Sequence, residues 1–152
     1  MEIEKKYKLI NLPSGLENGE HIDQGYLLIS KWLEIRIRDK AGQYFLTFKG
    51  NGTISRMELE FRIPKWIFWF TWPWTKGRRI EKIRYSKRMA NGLVLEFDKY
   101  LGSLAGLIIL EVEFPDEVSA NRFIYPEDIR GVDVTYDKRY KNKNLALNGI
   151  PE

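Results

Sequence analysis

Charged residues of the same sign recur two positions apart in this sequence, with an apolar residue between them. The acidic pairs are Glu2/Glu4, Glu58/Glu60, Glu96/Asp98 and Glu111/Glu113, and the basic pairs are Arg36/Arg38 and Lys82/Arg84. In a β-strand, residues i and i+2 point to the same face, where two carboxylates lie about 6.7 Å apart and repel by about 2.5 kcal/mol at an effective dielectric constant of 20. A solvated sheet surface normally mixes its signs. The repeated pairs therefore favour charged faces that converge inside a barrel on divalent cations and a polyanion, over ordinary solvated strand faces.

The residue types that are absent narrow the possible chemistry. The 152-residue chain has no Cys and one His, His21, which excludes disulfides, thiolate metal sites and multi-His metal sites. A bound metal must then have oxygen ligands, as Mg²⁺, Mn²⁺ or Ca²⁺ prefer. His21 precedes a predicted strand in a polar stretch and is interpreted as a surface or turn residue. No glycine-rich phosphate loop is present, so nucleotide binding by a helix N-terminus has no support.

The elements that must position these charges are mostly strands. Alternation of apolar and polar residues predicts eight of them, at residues 2–10, 22–29, 32–39, 44–49, 55–63, 80–86, 93–100 and 107–114. Short turn signals join most neighbours, and Asn51-Gly52 is typical of a hairpin. Helices are predicted after Pro64, at 115–123 and at 136–147. We expect one mainly β (α+β) domain over residues 1–152, built as an eight-stranded antiparallel β-barrel.

A tryptophan-rich stretch, residues 65–74, contains four of the five tryptophans. It is too short to span a bilayer, which takes about 20 apolar residues. A helix on the outside of the barrel or in a dimer interface is the favoured interpretation, with adhesion to a membrane surface or a hydrophobic partner site as the alternative. The formal net charge of +4 allows an anionic partner without the clustering typical of a nucleic-acid-binding protein. We expect a soluble, cytoplasmic protein without a transmembrane segment.

The charged pairs also lie in motifs that resemble those of the CYTH superfamily, the triphosphate tunnel metalloenzymes. Glu2-x-Glu4-x-Lys6 is similar to the ExExK signature of that family. Further motifs follow in the family's order at residues 34–38, 46–49, 56–60, 81–85, 95–98, 105–107, 111–114 and 134–140. Residues 72–85 and 137–143 are most similar to small bacterial members that hydrolyse inorganic triphosphate. Asp133 departs from the glutamate that is common in the family, so this position is given no role.

The resemblance implies a tunnel that is open at both ends, usually in a homodimer, with charged residues lining its interior. It implies that the phosphate oxygens are bound by Lys6, Arg36, Arg38, Lys49, Lys82, Arg84 and Arg139, the last closing one end. Mg²⁺ or Mn²⁺ would be held by Glu2, Glu4, Glu111 and Glu113. Glu60, with Glu58 or Asp98, would bind a second metal or orient the attacking water. Lys6, Arg38, Lys82 and Glu60 are the expected catalytic residues.

The function expected from this resemblance is metal-dependent hydrolysis of inorganic triphosphate to phosphate and pyrophosphate. An adenylate cyclase, a thiamine triphosphatase and a nucleoside triphosphatase of the same superfamily are alternatives that use the same tunnel. An alternative of a different class is a non-catalytic module that binds polyphosphate or a nucleotide. The two acidic pairs at Glu2/Glu4 and Glu111/Glu113 argue against it, because a pure anion binder gains nothing from carboxylates beside its ligand.

Overall fold

The computed structural model describes residues 2–50 and 55–152, without the side chains of Glu2 and Ser55. In this part of the chain the strands are β1 (Glu2–Leu9), β2 (Glu20–Ile29), β3 (Leu33–Lys40), β4 (Gln43–Gly50), β5 (Ser55–Arg56), β6 (Glu58–Arg62), β7 (Arg79–Arg88), β8 (Val94–Tyr100), β9 (Ile108–Glu113) and β10 (Gly131–Asp133). The α-helices are α1 (Lys65–Thr71), α2 (Glu117–Arg122) and α3 (Asn142–Asn148). Short 3-10 helices lie at Trp72–Thr75, Gly102–Leu104 and Lys138–Tyr140. The predicted Asn51-Gly52 hairpin lies outside the described residues.

The strands form one antiparallel sheet in the order β10-β1-β9-β8-β7-β2-β3-β4-β6, and β5 pairs with β1. β5 and β6 are separated by Met57 alone, and β6 pairs with β4. The segment that contains them therefore links the two sides of the sheet around a common interior. The mainly β tunnel fold predicted from the sequence is confirmed, with ten strands among the described residues in place of eight. The extra strands arise because the predicted strand 55–63 is interrupted at Met57, and because β10 is too short to show a period of two.

Side chains alternate between the interior of the barrel and its outer face. Along β3, for example, Glu34, Arg36 and Arg38 line the interior cavity, whereas Ile35 and Ile37 point outward. One apolar cluster lies outside the sheet, where β1, β8 and β9 pack against α2 and the residues around it. The alternation therefore separates a charged interior from an apolar exterior, which is the reverse of a usual small barrel.

A second apolar cluster fills the interior of the barrel at the end that α3 covers. It contains Tyr26, Ile80, Tyr100, Leu104, Leu107, Ile109, Val134, Tyr140 and Leu145. Tyr100 and Ile109 share their strand faces with charged interior residues further along β8 and β9. The Tyr100 hydroxyl also donates a hydrogen bond to Asn142 Oδ1, at 2.6 Å, on the first residue of α3. The charged cavity is thus bounded at this end by apolar packing, whereas the resemblance implied a tunnel open at both ends.

The helices lie where the sequence predicts them, with one difference. The predicted helix 136–147 is divided into a 3-10 turn and α3, because Lys141 is extended. Asp137 starts the 3-10 turn, since its carboxylate accepts a hydrogen bond from the backbone N–H of Arg139 at 3.1 Å. Within residues 2–50 and 55–152, none of the helices has the length and apolar content that crossing a bilayer requires. His21, predicted to precede a strand, lies inside β2.

Candidate active site

The barrel encloses a cavity of about 210 Å³ whose wall consists almost entirely of charged side chains. Among the described residues, its cationic side chains are Lys6, Arg36, Arg38, Lys40, Lys49, Arg56, Lys82, Arg84, Lys141 and Lys143. Its carboxylates are Glu4, Glu34, Glu58, Glu60, Glu96, Glu111 and Glu113. Gln24, Tyr26 and Asn142 complete the lining. The described cations outnumber the described carboxylates by three, so the cavity favours an anionic ligand that arrives with some cationic charge of its own.

The strand order separates most of the lining charges by sign into two walls. Strands β6, β5, β1, β9 and β8 carry all the lining carboxylates except Glu34; β1 and β5 also carry Lys6 and Arg56, and β6 pairs with β4. The adjacent strands β7, β2, β3 and β4 carry Arg36, Arg38, Lys40, Lys49, Lys82 and Arg84. A ligand in the cavity therefore meets an acidic wall on one side and a basic wall on the other.

Asp98 anchors the basic residues of β7 from behind the cavity wall. It is fully buried, accepts a hydrogen bond from Lys82 Nζ at 2.7 Å, and is held by Arg84 Nε at 2.7 Å and Nη2 at 2.8 Å. Arg84 reaches two further carboxylates, Glu96 and Glu111, each at 3.2 Å. Asp98 itself is not among the residues that line the cavity. Its position is that of a counterion that fixes the direction of Lys82 and Arg84.

Burial and neighbouring charges shift the pKa values in this network in different directions. Burial lowers the pKa of Lys82 to about 8, although Asp98 acts in the opposite sense. Burial also opposes the ionised form of Asp98, but Arg84 and Lys82 outweigh this effect and hold the pKa of Asp98 below its usual value. In the same way, Lys6 and Arg84 overcome the effect of burial on Glu111 and hold its pKa well below the usual range. Both carboxylates are thus ionised at neutral pH, and Lys82 is close to its titration range.

The basic side chains of β3 and β4 lie beside the two glutamates of β6, because β6 pairs with β4. Arg38 Nη2 lies 2.9 Å from Glu60 Oε1, which also accepts a hydrogen bond from Thr47 Oγ1 at 3.2 Å. Lys49 Nζ lies 3.7 Å from Glu58. Arg38 Nε is buried and makes no hydrogen bond to the residues that the structure describes. Burial and the neighbouring Arg36 and Arg84 lower the pKa of Arg38. The cationic side chains of the basic wall therefore lie close enough to repel one another, and an anion bound in the cavity would stabilise their charged forms.

Lys6 and Glu4 come from the ExExK motif on β1 and line the acidic wall. Lys6 Nζ lies 3.5 Å from Glu111 and donates a hydrogen bond to the backbone carbonyl of Tyr140 at 3.2 Å. Glu4 lies opposite Glu113 in the β1–β9 register, and its carboxylate is 3.9 Å from Arg56 Nη2. Two like charges directly opposite each other are unfavourable unless a cation neutralises them. Glu4 and Glu113 are therefore suited to a divalent cation.

Most of the sequence-predicted site residues come together in the cavity, with three exceptions. The side chain of Glu2 lies outside the described residues. Asp98 lies behind the wall, as described above. Arg139 is exposed on the surface and forms a two-pronged contact with Asp137, at 3.0 Å from Nε and 2.7 Å from Nη2. The C-terminal segment instead contributes Lys141, Asn142 and Lys143 to the lining, and Lys143 lies 3.8 Å from Glu34.

Several lining residues were missed by sequence reasoning. Glu34, Lys40 and Arg56 each lie two positions from a predicted site residue, so an extension of the same alternation would have found them. Lys141 and Lys143 gave no such signal, because they follow the break between the 3-10 turn and α3. Burial, Arg56 and Lys143 lower the pKa of Lys141 to about 8. This shift is the mark of a lysine that shares a confined site with other cations.

The donor atoms fit a divalent cation that prefers oxygen. The pKa of Glu111 on β9 is lowered, so its carboxylate is ionised at neutral pH, and Glu4 on β1 lies opposite Glu113 on β9. Hard cations such as Mg²⁺ bind carboxylate and water oxygens of this kind. The described residues also contain a second cluster of possible metal ligands, which lies outside the cavity. There His21 Nε2 lies 2.7 Å from Glu81, and His21 Nδ1 lies 3.7 Å from Asp23. The contact of this imidazole with two half-buried carboxylates is explained by its hydrogen bond to Glu81 alone.

Comparison with known proteins places this chain among relatives of the same length. No family model matches the sequence. The chain is 43% identical to an inorganic triphosphatase of Nitrosomonas europaea over 148 residues, which cover 97% of both chains. It is 37% identical to an inorganic triphosphatase of Acetivibrio thermocellus, over 97% of this chain and 94% of the relative.

Solved structures agree with the sequence comparison. The crystal structure of the inorganic triphosphatase NE1496 superposes with a TM-score of 0.73 at 40% identity, over all of this chain and 97% of that chain. HpAC1 from Hippeastrum shares the fold at 17% identity, with a TM-score of 0.61 over 80% of this chain and 83% of that chain. The motif resemblance is thereby confirmed over nearly the full length of the sequence. This chain belongs to the family of the inorganic triphosphatases.

Proposed function

We propose that this chain hydrolyses inorganic triphosphate to phosphate and pyrophosphate inside the charged cavity, with Mg²⁺ or Mn²⁺ as cofactor. The observation that carries the proposal is the division of one cavity into a basic wall and an acidic wall. Phosphoryl transfer requires mainly alignment of the phosphates and neutralisation of their charge. A basic wall alone could bind any polyanion. The carboxylates of the acidic wall favour a substrate that binds together with metal cations.

The basic wall holds the triphosphate. Arg36, Arg38 and Arg84 present planar guanidinium groups that can contact two phosphate oxygens at once, and Lys49 and Lys82 act as point charges. Lys6 adds a further point charge from the acidic wall. The anchoring of Lys82 and Arg84 by Asp98 means that their direction is set before substrate arrives. Such preorganisation avoids the cost of ordering these side chains during the reaction. Lys141 and Lys143 add cationic charge from the C-terminal side of the cavity.

The acidic wall holds the metal. Glu4, Glu111 and Glu113 are the proposed ligands, with Glu2 as a fourth from the same motif. Mg²⁺ usually retains several waters, so a subset of these carboxylates is sufficient. When bound, the metal supplies positive charge that neutralises phosphate oxygens and orients them. A second metal site, at Glu58 and Glu60, is part of the proposal.

Glu60 is also the proposed residue that orients the attacking water. Arg38 and Thr47 hold its carboxylate at one oxygen, Oε1, which leaves Oε2 to accept a hydrogen bond from water. The water oxygen attacks the terminal phosphorus in line with the bridging oxygen. A new P–O bond forms, the bridging P–O bond breaks with its electron pair, and pyrophosphate leaves. A proton of the water passes to Glu60, and Lys82 and Arg38 stabilise the charge on the phosphate oxygens.

The homodimer implied by the motif resemblance and the cytoplasmic location expected from the sequence are further parts of this proposal. Sedimentation equilibrium of the full chain between micromolar and submillimolar concentrations would give a mass of twice 18.0 kDa for a homodimer. A mass of 18.0 kDa throughout this range would contradict it.

The test of the function is phosphate release from triphosphate, pyrophosphate, ATP and thiamine triphosphate, each with Mg²⁺, Mn²⁺ or EDTA. We expect rapid cleavage of triphosphate with metal, none with EDTA, and pyrophosphate left intact. Faster cleavage of ATP or thiamine triphosphate would assign the chain to one of the alternative activities. Tight binding of triphosphate without turnover of any substrate would overturn the proposal in favour of a binding module.

A further inference from the structure

The aromatic segment between β6 and β7 has no part in the cavity and combines exposed rings with positive charge. Residues 61–80 contain seven Trp and Phe residues, Arg62, Lys65, Lys76, Arg78 and Arg79, and no Asp or Glu. None of these residues lines the charged cavity. The segment is therefore an outer surface of the barrel whose composition the proposed function does not explain.

The helical spacing of α1 places most of its rings away from the barrel. Phe68 is buried and anchors the helix, with its ring 5.0 Å from the rings of both Tyr44 and Trp72. Trp66, Phe70 and Trp74 follow one another at four-residue intervals, on the side of the helical segment away from Phe68. Their exposed fractions are 68%, 64% and 60%. Trp69, half exposed, lies on the same side.

This arrangement of exposed aromatic rings is the reverse of that in a typical amphipathic helix on a protein surface. A helix that serves only to cover a barrel presents apolar residues inward and polar residues to water. Here Phe68 is the buried residue of α1, while the larger aromatic area faces outward. Large exposed apolar patches of this kind mark a surface that contacts another apolar phase or partner.

The charges around the rings indicate which partner. Arg62, Lys65 and Lys76 are exposed at the two ends of the helical segment, and no carboxylate lies in the sequence between Glu60 and Glu81. In an isologous contact, a second copy of this chain would bring two identical basic surfaces together, which is electrostatically unfavourable. The headgroup region of an anionic bilayer instead accepts tryptophan rings and offers negative charge to lysine and arginine.

We propose that the aromatic segment is a docking surface for anionic phospholipid bilayers. Trp66, Phe70 and Trp74 insert their rings at the level of the headgroups, and Lys65 and Lys76 contact lipid phosphates. The contact is peripheral, because a segment of eleven helical residues lies along the interface and does not cross it. No residue of the aromatic segment lines the charged cavity, so the docking contact does not use the residues of the proposed active site.

The experiment is co-sedimentation of the full-length chain with sucrose-loaded vesicles of phosphatidylcholine, with and without 30% phosphatidylglycerol. Binding to the anionic vesicles and little binding to the neutral ones is expected, with a blue shift of the tryptophan emission. The triple variant Trp66→Ser/Phe70→Ser/Trp74→Ser should bind at least about tenfold more weakly, since burial of a single large apolar side chain already corresponds to that factor. Trp32→Ser is the matched control, because Trp32 is 73% exposed on the β2–β3 turn and lies beside Lys31.

A second pair of variants keeps the test independent of the packing of α1. Lys65→Gln/Lys76→Gln leaves every ring in place and should weaken binding to anionic vesicles, while Lys99→Gln on β8 should not. Three results would overturn the proposal: no binding of the wild-type chain to anionic vesicles, equal loss of binding in Trp32→Ser, or a change in sedimentation mass in the triple variant. The last result would show that a second copy covers the aromatic segment.

Discussion

Lys82 and Arg84 show how single residues in this site are held ready for an anion. Both extend from one face of β7, and both are bound to Asp98, which is fully buried. Removal of one partner from a buried ion pair costs about 3–5 kcal/mol, because the remaining charge is left uncompensated. The network therefore fixes two cations in the cavity at a considerable electrostatic cost. That cost is offset when a polyanion binds.

The assignment of Glu4 as a metal ligand leads to a first prediction. Glu4→Gln keeps the size of the side chain and removes its charge, so we expect the Mg²⁺ concentration for half-maximal triphosphatase activity to rise by about 10- to 100-fold. The matched control is Glu127→Gln, which changes an exposed carboxylate far along the chain from the cavity lining. A Mg²⁺ titration of phosphate release measures both. Wild-type behaviour of Glu4→Gln at limiting Mg²⁺ would contradict the assignment.

Two lysines that line the cavity have a pKa of about 8, and their titration predicts how the activity depends on pH. Lys82 and Lys141 are protonated below pH 8 and lose their charge above it. Because kcat/KM reports the free enzyme, it should fall as the pH rises through about 8, while kcat should fall at a higher pH, since bound triphosphate favours the charged lysines. In Lys141→Arg the charge at that position persists, so the decline of kcat/KM should become less steep. An identical decline in both proteins would exclude a role for Lys141.

At the scale of elements, β2 and the 3-10 helix Trp72–Thr75 are in close contact between the barrel and the aromatic segment. Gly25 on β2 faces Thr75, which is fully buried. Thr75 Oγ1 donates a hydrogen bond to the carbonyl of Trp72 at 2.7 Å and accepts one from Arg79 Nε at 2.9 Å. A Cβ on Gly25 would lie 2.5 Å from Thr75 Oγ1. The absence of a side chain at position 25 thus allows the 3-10 helix to lie on the sheet.

This contact predicts that Gly25→Ala is destabilising. The methyl group would displace Thr75 and both of its hydrogen bonds, and overpacking of this kind costs about 1–3 kcal/mol. Gly50→Ala is the control, because its Cβ would meet Met57 at an ordinary distance of 3.6 Å. Urea unfolding followed by circular dichroism gives the free energy of unfolding of each variant. A Gly25→Ala protein as stable as Gly50→Ala would show that the 3-10 helix shifts without cost.

At the scale of the whole molecule, the barrel encloses more charge than a typical protein interior. The described lining contains ten cationic and seven acidic side chains around about 210 Å³. Repulsion among the cations of the basic wall opposes folding, and a bound anion relieves it. The molecule therefore depends on its ligand for part of its stability.

The corresponding prediction is a large thermal shift with triphosphate in the presence of EDTA, where hydrolysis is blocked. At 100 times its dissociation constant, a ligand that binds only the folded state stabilises by about 2.7 kcal/mol. For a chain of this size, that raises Tm by roughly 5–11 °C. Arg38→Gln removes one cation of the basic wall and should reduce the shift, measured by differential scanning calorimetry. A shift that is absent, or equal in Arg38→Gln, would contradict binding in the cavity.

The sequence by itself determined which side chains face the interior. Because the period of a strand is two, Arg36 and Arg38, or Glu111 and Glu113, must point the same way once their segments become strands. The same pattern, together with the order of the motifs, predicted the mainly β tunnel and most of the lining. It failed for β10 and for the break at Met57, since two or three residues are too few to show a period.

Tertiary structure alone decided how these faces are arranged. Strand order, which depends on long-range pairing, separates the acidic wall from the basic wall. It also places Asp98 behind Lys82 and Arg84, although its spacing from Glu96 matches that of the other acidic pairs. The extended Lys141 turns the C-terminal segment so that Lys141 and Lys143 reach the cavity and Arg139 does not. A local pattern specifies the face of a strand, but the neighbours across that face are set by contacts between residues far apart in the chain.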